Sequence, residues 1–305
     1  MGRVEGLGVG AKVVAVVGLK LVVVCPGGAV TGGPHAMHQL VSVANEIELG
    51  SAAILYQPHA TTPEPYRRYN CPVIEMNRVP SDALIVLPEI WPELSQWFPR
   101  NRAALWWLSV DNFGSHGQTD VSGIGLHLCQ SEYAWRHVRW KMSGKCMMLT
   151  DWVEVAESEQ VRGDRVVVNP AKDAGLMRPF MASNPDVEFV ELRGLDRLGV
   201  AGVLRSSGFY IDFGRHPGRD RPPREAALAG CVVLSVLNGS ARLSEDMPIG
   251  DEFKFDSLSD ANRKFESVRE DWADASDWQA PYRRQIARQR YIFTSEVHAL
   301  LESLG

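Results

Sequence analysis

The chain has 305 residues and a formal net charge of −5, with 45% hydrophobic and 23% charged residues. This length suits two domains of ordinary size or one large one, and the composition is typical of a globular protein with a sizeable core. No overall basic excess points to nucleic acid as the partner, although a local basic patch is compatible with these numbers.

The cysteines and the apolar runs bear on where the protein works. Five cysteines are present, an odd number, and none forms a C-x-x-C pair. A disulfide scaffold or zinc site is therefore disfavoured, and free thiols in a reducing cytoplasm are expected. Lys12 and Lys20 interrupt the stretch that resembles a signal peptide, and all apolar runs are too short to span a bilayer. We expect a cytoplasmic protein without a membrane span, in which residues 1–19 form an extra strand or a start-site extension.

Strand and helix signals alternate through the first half of the chain. A continuous apolar run over 19–28 ends in glycines and predicts a strand buried on both faces. Pro34 and Gly50 mark the beginning and end of the next helix, which carries an apolar stripe at helical spacing. Further strands are predicted in SAAILYQP, DALIVLPEI (82–90), AALWWLSVDNF (103–113), GLHLCQ, which runs into the helix of SEYAWRHV, and KCMMLTDWV.

A polar stretch over 151–163 breaks this pattern, and a second alternating set follows. Strands are predicted in DRVVVN, DVEFVEL, GFYIDFG and CVVLSVL, with helices near 174–184, 195–205 and 222–229 and a charged helical tail over 259–304. This order predicts an α/β protein with two parallel sheets, each covered by helices on both faces. We place the domains at 1–152 and 153–285, with a C-terminal helix at 286–305 that closes the structure and packs back on the first domain.

Positive charge is concentrated between a predicted strand and a predicted helix. The stretch DFGRHPGRDRPPRE (212–225) contains Arg215, Arg219, Arg221 and Arg224. Ligands of open parallel sheets bind at the carboxyl ends of strands, and a helix that begins near Pro222 offers unpaired N–H groups there. Arginines add forked donors, and Gly214 and Gly218 allow close approach. The stretch predicts a phosphate-binding loop, most simply for a diphosphate; the alternative is a solvated turn whose arginines pair with Asp220 and Glu225.

Other residues are placed to meet the same ligand. Glu225, which we predict in the first turn of the helix, could accept hydrogen bonds from a ribose, although a glutamate is favourable there on dipole grounds alone. Lys172 follows a buried strand in a turn, where it could meet the same phosphates or simply be solvated. The glycine-rich stretch PGGAVTGGP (26–34) could approach a ligand across a cleft between the domains, or form a flexible turn.

Together these pieces resemble the two-domain glycosyltransferases of the GT-B fold, and in particular the family 4-like group of bacterial enzymes. The resemblance covers most of residues 21–256 and rests on GGP before a helix, NPAKDAG, DFGRHPGRDRPPREAALAGCVVL, LWWLSVDNF and LCQSEYA, of which only the arginine-containing segment is specific. It implies two Rossmann-like domains that face each other across a cleft.

The resemblance also implies a donor site for a nucleoside-diphosphate sugar. In it Glu225 would hold the ribose, and Lys172 with Arg219 would hold the diphosphate. Gly32 and Gly33 would face the donor from the first domain. From the arginine-rich loop itself we add Arg215, Pro217 and Gly218 to the predicted donor-binding residues.

One departure from the family concerns a glutamate. The family carries two glutamates separated by seven residues, and counting back from Glu225 places Pro217 in the first position, next to His216. The first glutamate is therefore missing, which weakens the inference about a retaining mechanism and about how the sugar is held. We take His216 as a candidate for part of that role.

The implied reaction moves a sugar from the donor to a hydroxyl group of an acceptor, with retention of configuration. The leaving diphosphate gains negative charge, which fixed cations or a metal can stabilise. The sequence offers Lys172 and the arginines, and no D-x-D motif or histidine cluster, so we expect neither a metal nor another cofactor. Glu89 and Asp111 follow buried runs in the first domain and are candidates to deprotonate the acceptor; helix capping or a hydrogen bond at the edge of the cleft is their alternative role.

Two other functions stay open at this point. An epimerase or hydrolase on the same architecture would consume the donor without an acceptor, and a non-catalytic nucleotide-binding protein would bind the donor without consuming it. We expect the acceptor to be a glycan or a small molecule. A nucleic-acid acceptor is less favoured because the chain is acidic overall.

Overall fold

A computed structural model of the chain describes residues 18–115, 117, 120–154, 163–173 and 175–304. Its apolar runs form two separate parallel sheets, one of six strands and one of five. The predicted α/β architecture is therefore confirmed. The polar stretch predicted to link the domains falls largely at residues 155–162, outside the described residues.

The first domain is built on the six-stranded sheet, in the order β2-β1-β3-β4-β5-β6. Alternate residues of β1 enter different cores: Leu21 and Val23 pack on one face of the sheet, Val22 and Val24 on the other. A strand whose two faces are both covered reads as a continuous apolar run, which explains its sequence. The elements are β1 (Leu21–Pro26), α1 (Gly32–Ile47), β2 (Ala52–Gln57), β3 (Leu84–Pro88), β4 (Ala103–Trp107), β5 (Leu126–Cys129), α2 (Glu132–Lys141) and β6 (Lys145–Met148).

The second domain repeats this construction with five strands in the order β11-β10-β9-β7-β8. Its core lies where apolar residues of the central strands meet the helices on both faces, and the ring of Phe265 makes edge contacts with Phe180 and Phe209. The elements are β7 (Gly163–Val168), α3 (Met177–Ser183), β8 (Phe189–Glu191), α4 (Arg197–Arg205), β9 (Ser207–Asp212), α5 (Arg221–Ala229), β10 (Val232–Val236) and β11 (Lys254–Phe255).

Four helices follow β11 in the part of the chain that the structure describes, and the last of them packs against the first domain. Phe293, Val297 and Leu300 of the final helix belong to the same buried cluster as Met37 and Leu40 of α1. The helices are α6 (Leu258–Glu270), α7 (Trp272–Trp278), α8 (Ala280–Ala287) and α9 (Gln289–Glu302). In the described part of the chain, no helix is both long and apolar enough to cross a lipid bilayer.

The strand predicted over 103–113 is shorter in the structure. It ends at Trp107, and Val110–Asn112 form a 3-10 turn. The apolar residues after Trp107 are explained by tertiary packing, because Val110 is buried in the adjacent core and Phe113 contacts the Trp107 ring at 4.8 Å between centroids. The shortened strand leaves residues 108–112 free to form a loop at the carboxyl end of the sheet.

The contribution of α9 to the first domain can be tested with two aromatic residues of that helix. Phe293 is fully buried and Tyr291 is 73% exposed. We expect Phe293→Ala to lower the free energy of unfolding by about 3–5 kcal/mol, because it leaves a cavity in the core. Tyr291→Ala should change it by no more than about 0.5 kcal/mol. Urea unfolding followed by tryptophan fluorescence measures both, and equal effects would contradict the assignment of α9 to this core.

Candidate functional site

A cleft of about 820 Å³ lies between the two domains. Residues that follow β1, β3, β4 and β5 line it from the first domain, and α4 together with the loop after β9 lines it from the second. The cleft therefore lies at the carboxyl ends of both sheets, where ligands of open α/β sheets bind.

Arg224, the last of the four clustered arginines, is buried in an ion pair with Asp151. Both side chains are 1% exposed, and Nη2 of Arg224 lies 2.8 and 3.0 Å from the two carboxylate oxygens of Asp151. Arg224 also donates to Oε1 of Gln289 in α9 at 2.9 Å and to the backbone carbonyl of Arg219 at 2.7 Å. This arginine thus joins α5 to the domain junction and to α9, and it does not line the cleft.

Arg221 reaches the same aspartate from the cleft side. Its Nη1 donates to Asp151 Oδ2 and to the carbonyl of Trp152, both at 3.0 Å, and its Nε lies 3.4 Å from Glu225 Oε1. A Cβ atom on Gly32 would lie 3.2 Å from Cδ of Arg221. The glycine at the beginning of α1 therefore makes room for an arginine from the opposite domain.

Arg219 is the arginine of this loop that has unused donors beside the cleft. Its backbone N–H donates to Oε1 of Gln130 at 3.0 Å, which fixes the loop against the first domain. Its Nε and Nη2 atoms are buried without a hydrogen-bond partner among the described residues, and the residue lines the cleft. Leaving such donors buried and unpaired is costly, and their positive charge also acts on Asp246 and Glu296, which do not line the cleft.

Two neighbours of Arg219 hold the loop close to the first domain. The N–H of Val110 donates to the carbonyl of Pro217 at 2.8 Å. A Cβ atom on Gly218 would lie 2.2 Å from the carbonyl oxygen of Leu108, which is too close for any residue other than glycine at this position. Pro217 lines the cleft, whereas Gly218 is buried in the contact between the domains.

His216 lies beneath the loop. It is 1% exposed, its Nε2 lies 3.0 Å from Ser235 Oγ, and its ring lies within 3.4–3.7 Å of carboxylate oxygens of Asp220 and Asp212. Its carbonyl accepts the N–H of Ser240 at 2.8 Å. His216 does not line the cleft, so these contacts connect the loop to β9 and β10.

Of the remaining residues predicted to bind the donor, some line the cleft and others do not. Glu225, Gly32 and Gly33 line the cleft from opposite sides. The helix α5 begins at Arg221, so Glu225 lies beyond its first turn and the dipole explanation for this glutamate loses force. Arg215 is exposed and does not line the cleft. The side chain of Lys172 lies outside the described part, although an isolated bridge between Asp173 and Gly214 places its turn beside the loop.

Of the two carboxylates predicted on the acceptor side, only Glu89 lines the cleft. It follows β3, is 4% exposed and accepts the N–H of Leu108 at 3.3 Å. Burial raises the pKa of Glu89 to about 7, against the opposing effect of hydrogen bonds from its surroundings. Asp111 is exposed on the 3-10 turn after β4, and its neighbour Asn112 lines the cleft instead.

Sequence patterns did not mark three charged residues that meet at one side of the cleft. Oε2 of Glu154 accepts hydrogen bonds from Arg68 at 3.0 Å and from Arg197 at 3.1 Å. The three residues come from separate segments and belong to no local motif, so only the folded chain brings them together. Among the described residues, His, Cys, Asp and Glu side chains form no group of three or more that could hold a metal ion.

Comparison with known proteins places this geometry in a fold family. No protein-family model and no curated protein matches the chain. Among solved structures, HepE from Anabaena in complex with UDP superposes with a TM-score of 0.68 at 10% identity, covering 93% of this chain and 100% of HepE.

Two further solved structures have a similar fold. Sucrose-phosphate synthase from Thermosynechococcus elongatus has a TM-score of 0.64 at 9% identity, covering 93% of this chain and 99% of its own. Trehalose 6-phosphate synthase from Burkholderia multivorans has a TM-score of 0.58 at 9% identity, covering 94% of this chain and 100% of the synthase. At such identities the likeness shows the fold alone. The chain has the GT-B fold, which confirms the fold that its sequence resemblance implied.

The ion pair between Arg224 and Asp151 predicts a large effect on stability. Arg224→Met should lower the free energy of unfolding by about 3–5 kcal/mol, because it leaves a buried carboxylate partly uncompensated. Arg224→Met combined with Asp151→Leu should cost less than the sum of the single changes. Exposed Arg100→Gln is the control. Chemical unfolding measures all four variants, and an additive double variant would contradict the coupling.

Proposed function

We propose that the protein is a glycosyltransferase that moves a sugar from a nucleoside-diphosphate sugar to a hydroxyl group of an acceptor. The observation that carries this proposal is that Arg219, a cation with buried donors that have no hydrogen-bond partner among the described residues, lines the same cleft as Glu225. The comparison structures support it, because HepE is recorded with UDP, with UDP-glucose, and with UDP and glucose.

In the proposed site the donor diphosphate binds Arg219 and Lys172, and the ribose binds Glu225. Gly32 and Gly33 face the donor from the first domain. When the bond between sugar and diphosphate breaks, negative charge grows on the leaving oxygen, and we propose Arg219 as the cation that stabilises it. We propose that this cation, with Lys172, suffices without a metal ion.

Glu89 is the group that we propose as the proton acceptor for the acceptor hydroxyl. It borders the cleft from the first domain, and a pKa of about 7 suits a base that works near neutral pH. Retention of configuration, as the family resemblance implied, stays a prediction; NMR of the product anomer during turnover tests it. The free thiols of the chain support a cytoplasmic location.

One observation favours a second candidate, a nucleotide-binding protein without catalysis. Pro217 stands where the resembled family carries a glutamate, and His216, the candidate for part of that role, is buried and does not line the cleft. Such a protein would bind the nucleoside diphosphate and leave the sugar donor intact.

Nucleotide binding is the first prediction of the proposed function. Thermal unfolding is followed with UDP, GDP, dTDP and ADP, each with EDTA and with Mg²⁺, and with NAD as a control. A nucleotide at about a hundred times its dissociation constant should stabilise the folded chain by roughly 2.7 kcal/mol, equally in both conditions. Arg219→Gln, Lys172→Ala and Glu225→Gln should reduce the shift, and exposed Glu188→Gln should not.

The outcomes separate the candidates. No shift with any nucleotide would contradict both the transferase and the binding protein. A shift that appears only with Mg²⁺ would contradict metal independence. A shift followed by no consumption of the matching sugar donor, with or without sugar acceptors, would favour the binding protein.

The buried carboxyl of Glu89 predicts a pH dependence. Its pKa in the folded chain, about 7, exceeds the ordinary value of 4.5, so folding favours the neutral form. The resulting stabilisation is complete below pH 4.5 and is lost as the pH rises through 7. Glu89→Gln keeps a neutral group, so at pH 8 it should be more stable than the native chain by about 3 kcal/mol, with convergence below pH 4.5.

The transferase activity should rise with pH over the range in which the stability of the native chain falls. If Glu89 is the base, transfer by the native enzyme rises with pH through about 7, and Glu89→Gln removes both the activity and this rise. Stability is measured by thermal unfolding at several pH values, with exposed Glu75→Gln as the control. A pH-independent difference between Glu89→Gln and the native chain would show that the carboxyl does not titrate in this range.

A further inference from the structure

Arg68, Glu154 and Arg197 form a charged cluster on one side of the cleft, and all three line it. Arg68 comes from the 3-10 turn Glu64–Tyr69 of the first domain, Glu154 from the connection between the domains, and Arg197 from the beginning of α4 in the second domain. The cluster therefore spans the cleft from one domain to the other.

A single carboxylate oxygen serves both arginines. Oε2 of Glu154 lies 3.0 Å from Nη1 of Arg68 and 3.1 Å from Nη2 of Arg197, and Oε1 accepts the indole N–H of Trp152 at 3.1 Å. Two guanidinium groups thus share one negative charge, which leaves an excess of one positive charge. Neighbouring His35 adds none, because burial and nearby arginines lower its pKa to about 2.

The cluster is reachable from the cleft. The side chains of Arg68, Glu154 and Arg197 are 34%, 37% and 47% exposed. Ion pairs this exposed usually contribute little to stability, so a role in holding the fold explains the arrangement poorly. A pair of arginines that face each other across a carboxylate presents the forked donors that bind phosphate and carboxylate groups.

The cluster is made of different residues from those proposed for the donor diphosphate. Arg219 and Lys172 belong to the loops after β9 and β7, whereas Arg68 belongs to the first domain. We propose that the Arg68–Glu154–Arg197 cluster binds an anionic group, a phosphate or a carboxylate, on the acceptor sugar. The anion displaces Glu154 from between the two arginines. This inference rests on the proposed function, because it names the acceptor class of that site.

Glu154 occupies the position between the two arginines that the proposed anion would take, so its substitution tests the inference directly. An internal carboxylate that competes with the ligand weakens binding, so Glu154→Gln should bind the anionic acceptor more tightly. The opposite is expected if Glu154 only holds the domains together, because its loss would then disturb the cleft. The direction of the change therefore separates a binding position from a structural contact.

The test measures binding of sugars to the full chain by titration calorimetry, in the presence of the nucleoside diphosphate selected by the unfolding panel. The probes are glucose 6-phosphate, mannose 6-phosphate, fructose 6-phosphate and glucuronate, each compared with its neutral parent sugar. At least one anionic sugar should bind about tenfold more tightly than its parent, and Arg68→Gln and Arg197→Gln should remove this preference. Glu154→Gln should increase it, and the phosphate and carboxylate probes distinguish the two sources of charge.

Arg136→Gln is the matched control, since Arg136 also pairs with two glutamates on the surface but does not line the cleft. Equal binding of anionic and neutral sugars, or no binding of any probe, would overturn the inference. So would weaker binding by Glu154→Gln, or an effect of Arg136→Gln as large as that of the cluster variants. Failure of every nucleoside diphosphate to bind would instead contradict the proposed function.

Discussion

The buried ion pair between Arg224 and Asp151 is the interaction on which the relation of the two domains depends. Removing both charges from water is expensive, and burial alone would lower the pKa of Arg224. The cost is offset because every side of the pair is hydrogen-bonded. Gln130 donates to Asp151 at 3.0 Å from the first domain, Arg221 adds a second cation, and Gln289 accepts from Arg224 at the beginning of α9. Any separation of these segments would leave a buried charge without its partner.

This constraint explains why an acidic chain concentrates arginines at the beginning of one helix. The four arginines do not act as one basic surface. Arg224 and Arg221 are engaged with Asp151, Arg215 faces solvent, and Arg219 has buried donors without partners at the cleft. Two arginines thus fix the loop against the first domain, and a third one, Arg219, lines the cleft.

The GT-B fold by itself does not decide the activity, because one fold supports many chemistries. What narrows the choice here is the content of the cleft. Arg219 and the buried carboxyl of Glu89 line it, and Pro217 stands where the resembled family carries its first glutamate. The contact between Gly32 and Arg221 further shows that the two halves of the cleft are shaped to each other.

The sequence by itself determined most of the strands and helices and the succession of two parallel sheets, whereas it did not predict β11 or the early end of β4 at Trp107. Strands buried on both faces read as continuous apolar runs such as LVVVCP, and α5 was indicated by prolines at its beginning and Gly230 at its end. Glu225 and Glu89 both follow predicted strands along the chain. We assign them to the site because ligands of open α/β sheets bind at the carboxyl ends of the strands. These signals are local, so periodicity and turn residues are enough to reveal them.

Tertiary structure alone decided which charged residues pair. Asp151 and Arg224 lie 73 residues apart, and Arg68, Glu154 and Arg197 belong to three segments that no motif connects. Asp111 and Asn112 are adjacent in the sequence, yet of the two only Asn112 lines the cleft, because the short turn after β4 sets the direction of each side chain. Burial, partner choice and pKa depend on distances across the folded chain, and those distances are absent from the order of the residues.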